Sequence, residues 1–250
     1  MTALLLAGIL KVSAVTFKVP VPNKTLTKDT VVDMDFSILD NTTTVMVGSD
    51  DSKALRDNTY SSIAKTTTGI VTVPDTITYG RIKYAVVKLG QAAFRGCTGL
   101  TGVIINVPVT EVGQWAFRDC SSLQSIVIPD SVVSIHKSAF LGCTSLGSVT
   151  FGVHSRLKTI EAGCFNSCSS LTSITLPSTV TQIDGAFSNC TGLVSIDLPS
   201  DIESIGTSTF DGCTHLENVN FQNKVNSIGS YAFHDCKSLK TISIPSGVTT

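Results

Sequence analysis

A phenylalanine, a cysteine and a leucine recur together at three-residue spacing seven times in this chain. The triplets are Phe94/Cys97/Leu100, Phe117/Cys120/Leu123, Phe140/Cys143/Leu146, Phe165/Cys168/Leu171, Phe187/Cys190/Leu193, Phe210/Cys213/Leu216 and Phe233/Cys236/Leu239. Successive phenylalanines lie 23, 23, 25, 22, 23 and 23 residues apart. Self-similarity at such a period means stacked supersecondary units, each unable to bury its apolar face alone. The functional question then moves from a catalytic pocket to an extended surface.

One unit shows how a rung is built. Ala116, Phe117, Cys120 and Leu123 keep a spacing of three or four, which predicts a helical or 3-10 turn with its apolar side inward. Ile126 and Ile128 alternate with Ser125 and Val127, the pattern of a strand with one face in and one face out. Pro129 ends that strand because it has no N–H for a ladder. Val132 or Val133, then Ile135, return the chain to the core. At about 1.5–3 kcal/mol per buried large side chain, cohesion lies between rungs rather than within one. Two extra residues within 152–157 and one missing around Asp184 and Gly185 are slips that belong in connecting loops.

Of eight cysteines, seven sit in the repeat column. Column neighbours lie about 5 Å apart along a stack, but parallel side-chain vectors do not suit a bridge. The expectation is a buried ladder of free thiols acting as small hydrophobes. Cys164 stands outside the column, where other units mostly carry alanine. The four histidines fall at unrelated repeat positions, so no zinc site is expected. Neither a nucleophile elbow nor a phosphate loop is present, so the reading is no enzyme, no cofactor and no metal. A net charge of -1 with 15% charged residues gives nucleic acid or an anionic membrane nothing to bind. The apolar run Ala3 to Leu10 is far short of the roughly 20 residues of a membrane helix.

The L-x-x-I-x-I core inside a period near 23 fits the leucine-rich repeat class, whose units run about 20–29 residues. More narrowly, A-F-x-x-C-x-x-L-x-x-I-x-I-P-x-x-V-x-x-I-g resembles the BspA-like leucine-rich repeats, over roughly residues 68 to 250. The stretch from Gly69 through Pro74, Tyr79 and Tyr84 to Gly90 resembles that family's lead-in hairpin. The resemblance implies a surface or secreted protein of mucosal bacteria or parasitic protists, whose relatives adhere to host cells, matrix proteins or other microbes. It carries no catalytic motif.

The expected architecture is a leucine-rich repeat solenoid. A curved parallel β-sheet forms one face, short helical or 3-10 turns and irregular segments form the other, and a β-rich N-terminal cap precedes them. Residues 1–14 read as a secretory segment or as an ordinary start, 15–68 as the cap and a loop, and 69–93 as the lead-in hairpin. Residues 94–250 read as seven units of about 23 residues, the last incomplete and without a polar cap. That last rung suggests either a longer protein or end-to-end self-association.

The outward strand pairs run from Gly102/Ile104 through Ser125/Val127, Ser148/Thr150, Ser173/Thr175, Ser195/Asp197 and Asn218/Asn220 to Thr241/Ser243. Asp197, Glu217, Asn218 and Asn220 are the most individual patch and the candidate binding residues. Asn23, Asn41 and Asn189 begin N-x-S/T sequons, of consequence in a secreted eukaryotic chain. Trp115 is the only tryptophan, and its expected role is local packing. The resulting reading is a non-enzymatic protein-binding or adhesion module, at the cell surface or secreted, with a protein or glycan ligand. The alternative is an intracellular, cytoplasmic scaffold or sensor, which reduced cysteines would suit.

Overall fold

The computed structural model describes residues 16–24, 29–39, 43–48, 61–79, 81–221 and 224–249, with backbone only over the strands within 16–33. The N-terminal part holds β1 (Thr16–Lys24), β2 (Asp29–Ile38), β3 (Thr44–Val47), β4 (Thr68–Val73), β5 (Thr76–Tyr79) and β6 (Ile82–Leu89). The repeats then alternate a longer and a two-residue strand: β7 (Gly99–Ile105), β8 (Glu111–Val112), β9 (Ser125–Ile128), β10 (Ser134–Ile135), β11 (Ser148–Phe151) and β12 (Thr159–Ile160). The same alternation continues through β13 (Ser173–Thr175), β14 (Gln182–Ile183), β15 (Ser195–Asp197), β16 (Ser204–Ile205), β17 (Asn218–Asn220) and β18 (Ser227–Ile228).

These strands stack into two parallel ladders. The longer strands run β4-β7-β9-β11, then β13-β15-β17; the short ones run β6-β8-β10-β12-β14-β16-β18. Register follows the repeat, with Ser125 opposite Ser148 and Ile126 opposite Val149. The long-strand ladder is interrupted between β11 and β13. That gap falls where the two extra residues of 152–157 lengthen the connection, while the short ladder continues across it from β10 through β12 to β14. Alternation puts Ile126 and Ile128 inside, with Ser125 and Val127 outside, as a period of two requires.

The N-terminal strands join the ladders. β1 pairs with β2 and β4, β2 with β3, and β3 with β6. Met34 and Phe36 of β2 are fully buried, so they close the hydrophobic core at that side.

No helix forms among the described residues, which corrects the expected helical or 3-10 turns. Each A-F-x-x-C-x-x-L segment is instead a chain of turns. Arg118, Cys120 and Leu123 N–H groups donate to the carbonyls three residues back, at 3.1 Å each. The residues two before and two after every column phenylalanine have φ between 52° and 76°. A left-handed residue twice in five positions prevents helix propagation. It also turns alternate N–H groups along the stack: Trp115, Phe117 and Asp119 donate to Lys137, Ala139 and Leu141 carbonyls at 3.2, 2.7 and 2.8 Å. The turns thus form a third rung-to-rung ladder.

Inside it the column residues stack. Phenylalanine rings from Phe94 to Phe233 lie face to face at centroid distances of 5.0 to 5.7 Å, within the range of offset stacking. All eight cysteines are free and buried. They do more than fill space. Cys120 Sγ donates to Phe94 O at 2.9 Å and Cys143 Sγ to Phe117 O at 3.1 Å, and the pattern repeats up to Cys236 and Phe210. Each of these six thiols therefore supplies a second donor to a carbonyl of the preceding rung, while Cys97 Sγ lies 3.2 Å from Ser61 Oγ. Cys164 takes the alanine slot before Phe165 and is fully buried.

Candidate functional site

The outer surface of the long-strand ladder presents one pair of side chains per rung. Ile70 lies opposite Gly102, and Thr72 opposite Ile104. A side chain at Gly102 would begin 3.4 Å from Ile70, which leans across the bare glycine. Val127 on the next rung is 61% exposed, so the β4–β9 end of the surface is apolar. Ser148, Thr150, Ser173 and Thr175 follow as an exposed hydroxyl stretch. Asp197 and Asn220 then face each other across β15 and β17, where Asn220 Nδ2 donates to Asp197 Oδ1. Asn218 pairs in register with Ser195.

The structure thus brings Asp197, Asn218 and Asn220 onto neighbouring strands. Glu217 lies at the rim, its N–H bonded to Val194 O at 2.8 Å. Glu217 and Asn218 border a cavity of about 460 Å³ shared with Lys237, Ser238, Lys240 and Thr241. The neighbourhood of the patch is therefore of mixed charge. Sequence reasoning passed over both lysines, although Lys240 occupies the repeat column of Glu217 and was legible there. Thr241 and Ser243 do not extend the ladder: residues 240–245 carry no strand, and with no rung packed on their far side among the described residues Ile244 is 47% exposed.

Of the sequons, Asn23 lies in β1, its backbone paired with Thr30 and Val71, and Asn41 is outside the described residues. Asn189 is exposed and left-handed at φ 56°. Its side chain is engaged: Nδ2 donates to Ser188 Oγ at 3.2 Å, and Oδ1 lies 2.5 Å from where a Cβ on Gly212 would stand. Trp115 is half-buried under two guanidinium groups, Arg95 at 4.8 Å and Arg118 at 5.4 Å from its ring centroid. Its left-handed backbone, at φ 59°, is shared by the same position of the other rungs.

The thiols are chemically quiet. Burial pushes Cys190 up to about 12 and both Cys97 and Cys236 up to about 11. Thiolates, the reactive form, are correspondingly scarce. Among the described residues no group of three His, Cys, Asp or Glu side chains could hold a metal ion, and no helix is long and apolar enough to cross a membrane.

Similarity to known proteins agrees with this geometry. Residues 74–185 and 150–250 match the family described as the BspA type leucine rich repeat region, in 6 copies. No curated protein matches the sequence. A leucine-rich repeat protein from Bacteroides ovatus is 31% identical, with a TM-score of 0.74 over 86% of this chain and 52% of its own. The leucine-rich repeat protein of T. pallidum is 28% identical, with a TM-score of 0.69 over 82% of this chain and 87% of its own. A leucine rich cell surface protein of Faecalibacterium prausnitzii is 27% identical, with a TM-score of 0.58 over 92% of this chain and 50% of its own. The chain spans about half the length of the first and third of these proteins.

Proposed function

We propose that this chain, which belongs to the BspA-type leucine-rich repeat family, is a non-enzymatic binding module of a cell-surface or secreted protein. Its ligand, a protein or a glycan, lies on the outer surface of the long-strand ladder. One observation supports this most. Across the rungs the inward columns stay Phe, Cys, Leu and Ile with little change, while the outward pairs pass from apolar to hydroxyl to acid and amide. A constant interior under a varied exterior suits a solenoid that uses its length for recognition. The F. prausnitzii protein, a cell surface protein, supports the location. The free thiols do not favour the cytoplasmic alternative, because burial protects them in an oxidising compartment as well.

The test is binding of labelled protein to cultured epithelial cells and to their deposited matrix, read by fluorescence. Asp197→Lys with Glu217→Lys is expected to lower the bound signal. Both sites are exposed, so stability should stay within about 0.5 kcal/mol. Undiminished binding would remove this patch from the reading; no binding of the unaltered chain to either surface would count against adhesion itself.

A further inference from the structure

The outward side chains of the long-strand ladder fall into two rows, ordered along the stack. Ile70 leans over the bare Gly102 of the next strand. The register that sets Gly102 beside Ser125 sets Ile104 beside Val127. Ile70 and Val127 are exposed and Ile104 is half-buried, so three aliphatic side chains meet solvent together. Ser148, Thr150, Ser173 and Thr175 follow, all exposed, and their hydroxyls make no hydrogen bond to any described residue. Asp197 comes next, in the row of Val127, Thr150 and Thr175. It accepts from Asn220, and no cation pairs with it among the described residues. Lys237 and Lys240 stand two rungs beyond it, around the cavity they share with Glu217.

Each part of this sequence of surfaces has its own complement. Exposed aliphatic side chains gain from being covered by another apolar group. Hydroxyls both donate and accept, as a peptide backbone does. A carboxylate only accepts, and most strongly from an ammonium or guanidinium. A glycan fits less well: a sugar's C–H face stacks on an aromatic ring, and no outward residue of β4, β7, β9, β11, β13, β15 or β17 is aromatic. Val127 and Asp197 are three rungs apart, about 14 Å at the spacing of neighbouring strands. Phe140 and Phe165 still stack at 5.3 Å across the unpaired step between β11 and β13, so the rung spacing holds there. Four residues of extended chain span about the same distance. On the reading that the outer long-strand surface is the binding face, we propose that its ligand is an extended protein segment lying along the stack. An aliphatic side chain of that segment covers Ile70, Ile104 and Val127, and a lysine or arginine four residues away meets Asp197.

The test is fluorescence anisotropy of labelled ten-residue glycine–serine peptides titrated with the full chain. Leucine and arginine stand two, four or six residues apart in them, in either order, and labelled N-acetyllactosamine is the glycan arm. The four-residue spacing should bind most tightly, and exchanging its leucine for serine should weaken it about tenfold. Val127→Ser in the protein should do the same, and Asp197→Asn should weaken it about threefold. Both positions are exposed, so the melting temperature should not move in either variant. No saturation by any peptide, saturation by the glycan alone, equal affinity at all three spacings, or unaltered affinity of both variants would overturn the proposal. Binding to cells or matrix by a chain that takes none of the peptides would keep the adhesion reading and remove the peptide ligand. Peptide binding without cell or matrix binding would do the reverse.

Discussion

Replacing Phe140 by leucine keeps most of the buried apolar area and removes ring stacking. Phe140 stacks on both sides, against Phe117 at 5.0 Å and 3° and against Phe165 at 5.3 Å and 8°. Phe94 is equally buried, at 0% exposure, but among the described residues it stacks on one side only, against Phe117 at 5.0 Å and 11°. An aromatic pair contributes about 0.5–1.5 kcal/mol beyond its area. Phe140→Leu should therefore lose about 1–3 kcal/mol from stacking, and Phe94→Leu about half of that. The change of shape adds a common cost of less than about 1.5 kcal/mol to both. Urea denaturation measures the difference. Trp115, the only tryptophan, reports by fluorescence, and circular dichroism checks that the transitions coincide. If the two variants cost the same at equal m-values, or Phe94→Leu costs more, stacking on neighbouring rungs does not carry the cohesion argued here.

Three further outcomes are expected. Gly142→Ala should destabilise by about 1–2 kcal/mol, because φ there is 76° and the new Cβ would stand 2.6 Å from Asp119 Oδ1; in the same assay Ser208→Gly, at φ 53°, should cost little or nothing. An Ellman titration should find the eight thiols silent in the native protein and reactive once it is unfolded; fast native labelling at any but Cys236, the most exposed of them at 8%, would contradict the buried ladder. The thiols also set an alkaline limit. Their folded pKa values are raised, so their stability contribution is complete below the ordinary thiol range and is lost as pH rises toward about 11 to 12. A melting temperature that is level through that window would refute it.

The columns were legible because each inward residue recurs with the period, and burial follows those columns from Phe94 to Phe210, with Phe151 only partly buried beside the lengthened connection. The turns were misread because apolar spacing of three and four suits a helix and equally suits successive turns. The distinguishing signal lay elsewhere: the position two after each phenylalanine holds only Gly96, Asp119, Gly142, Ser167, Asn189, Gly212 and Asp235, small or amide-like residues that tolerate a left-handed backbone. The thiol donors could not be read from sequence, since a cysteine that fills space and one that donates to a carbonyl occupy the same column. At the candidate surface Asp197 and Asn220 were placed together by register, but Lys237 and Lys240 were overlooked because attention stayed on outward strand positions.

Because β1, β2 and β3 pass without a gap from β4 to β6, fourteen strands form one unbroken ribbon folded back on itself, with β5 paired beside β6. Its two arms are fastened at the bend and nowhere else by strand pairing. Force applied along the molecule must then divide between the arms, and peeling starts at their ends, β11 and β18. A protease or a steady pull would strip β18 and the separate β13-β15-β17 ladder early and reach the doubled-over region last.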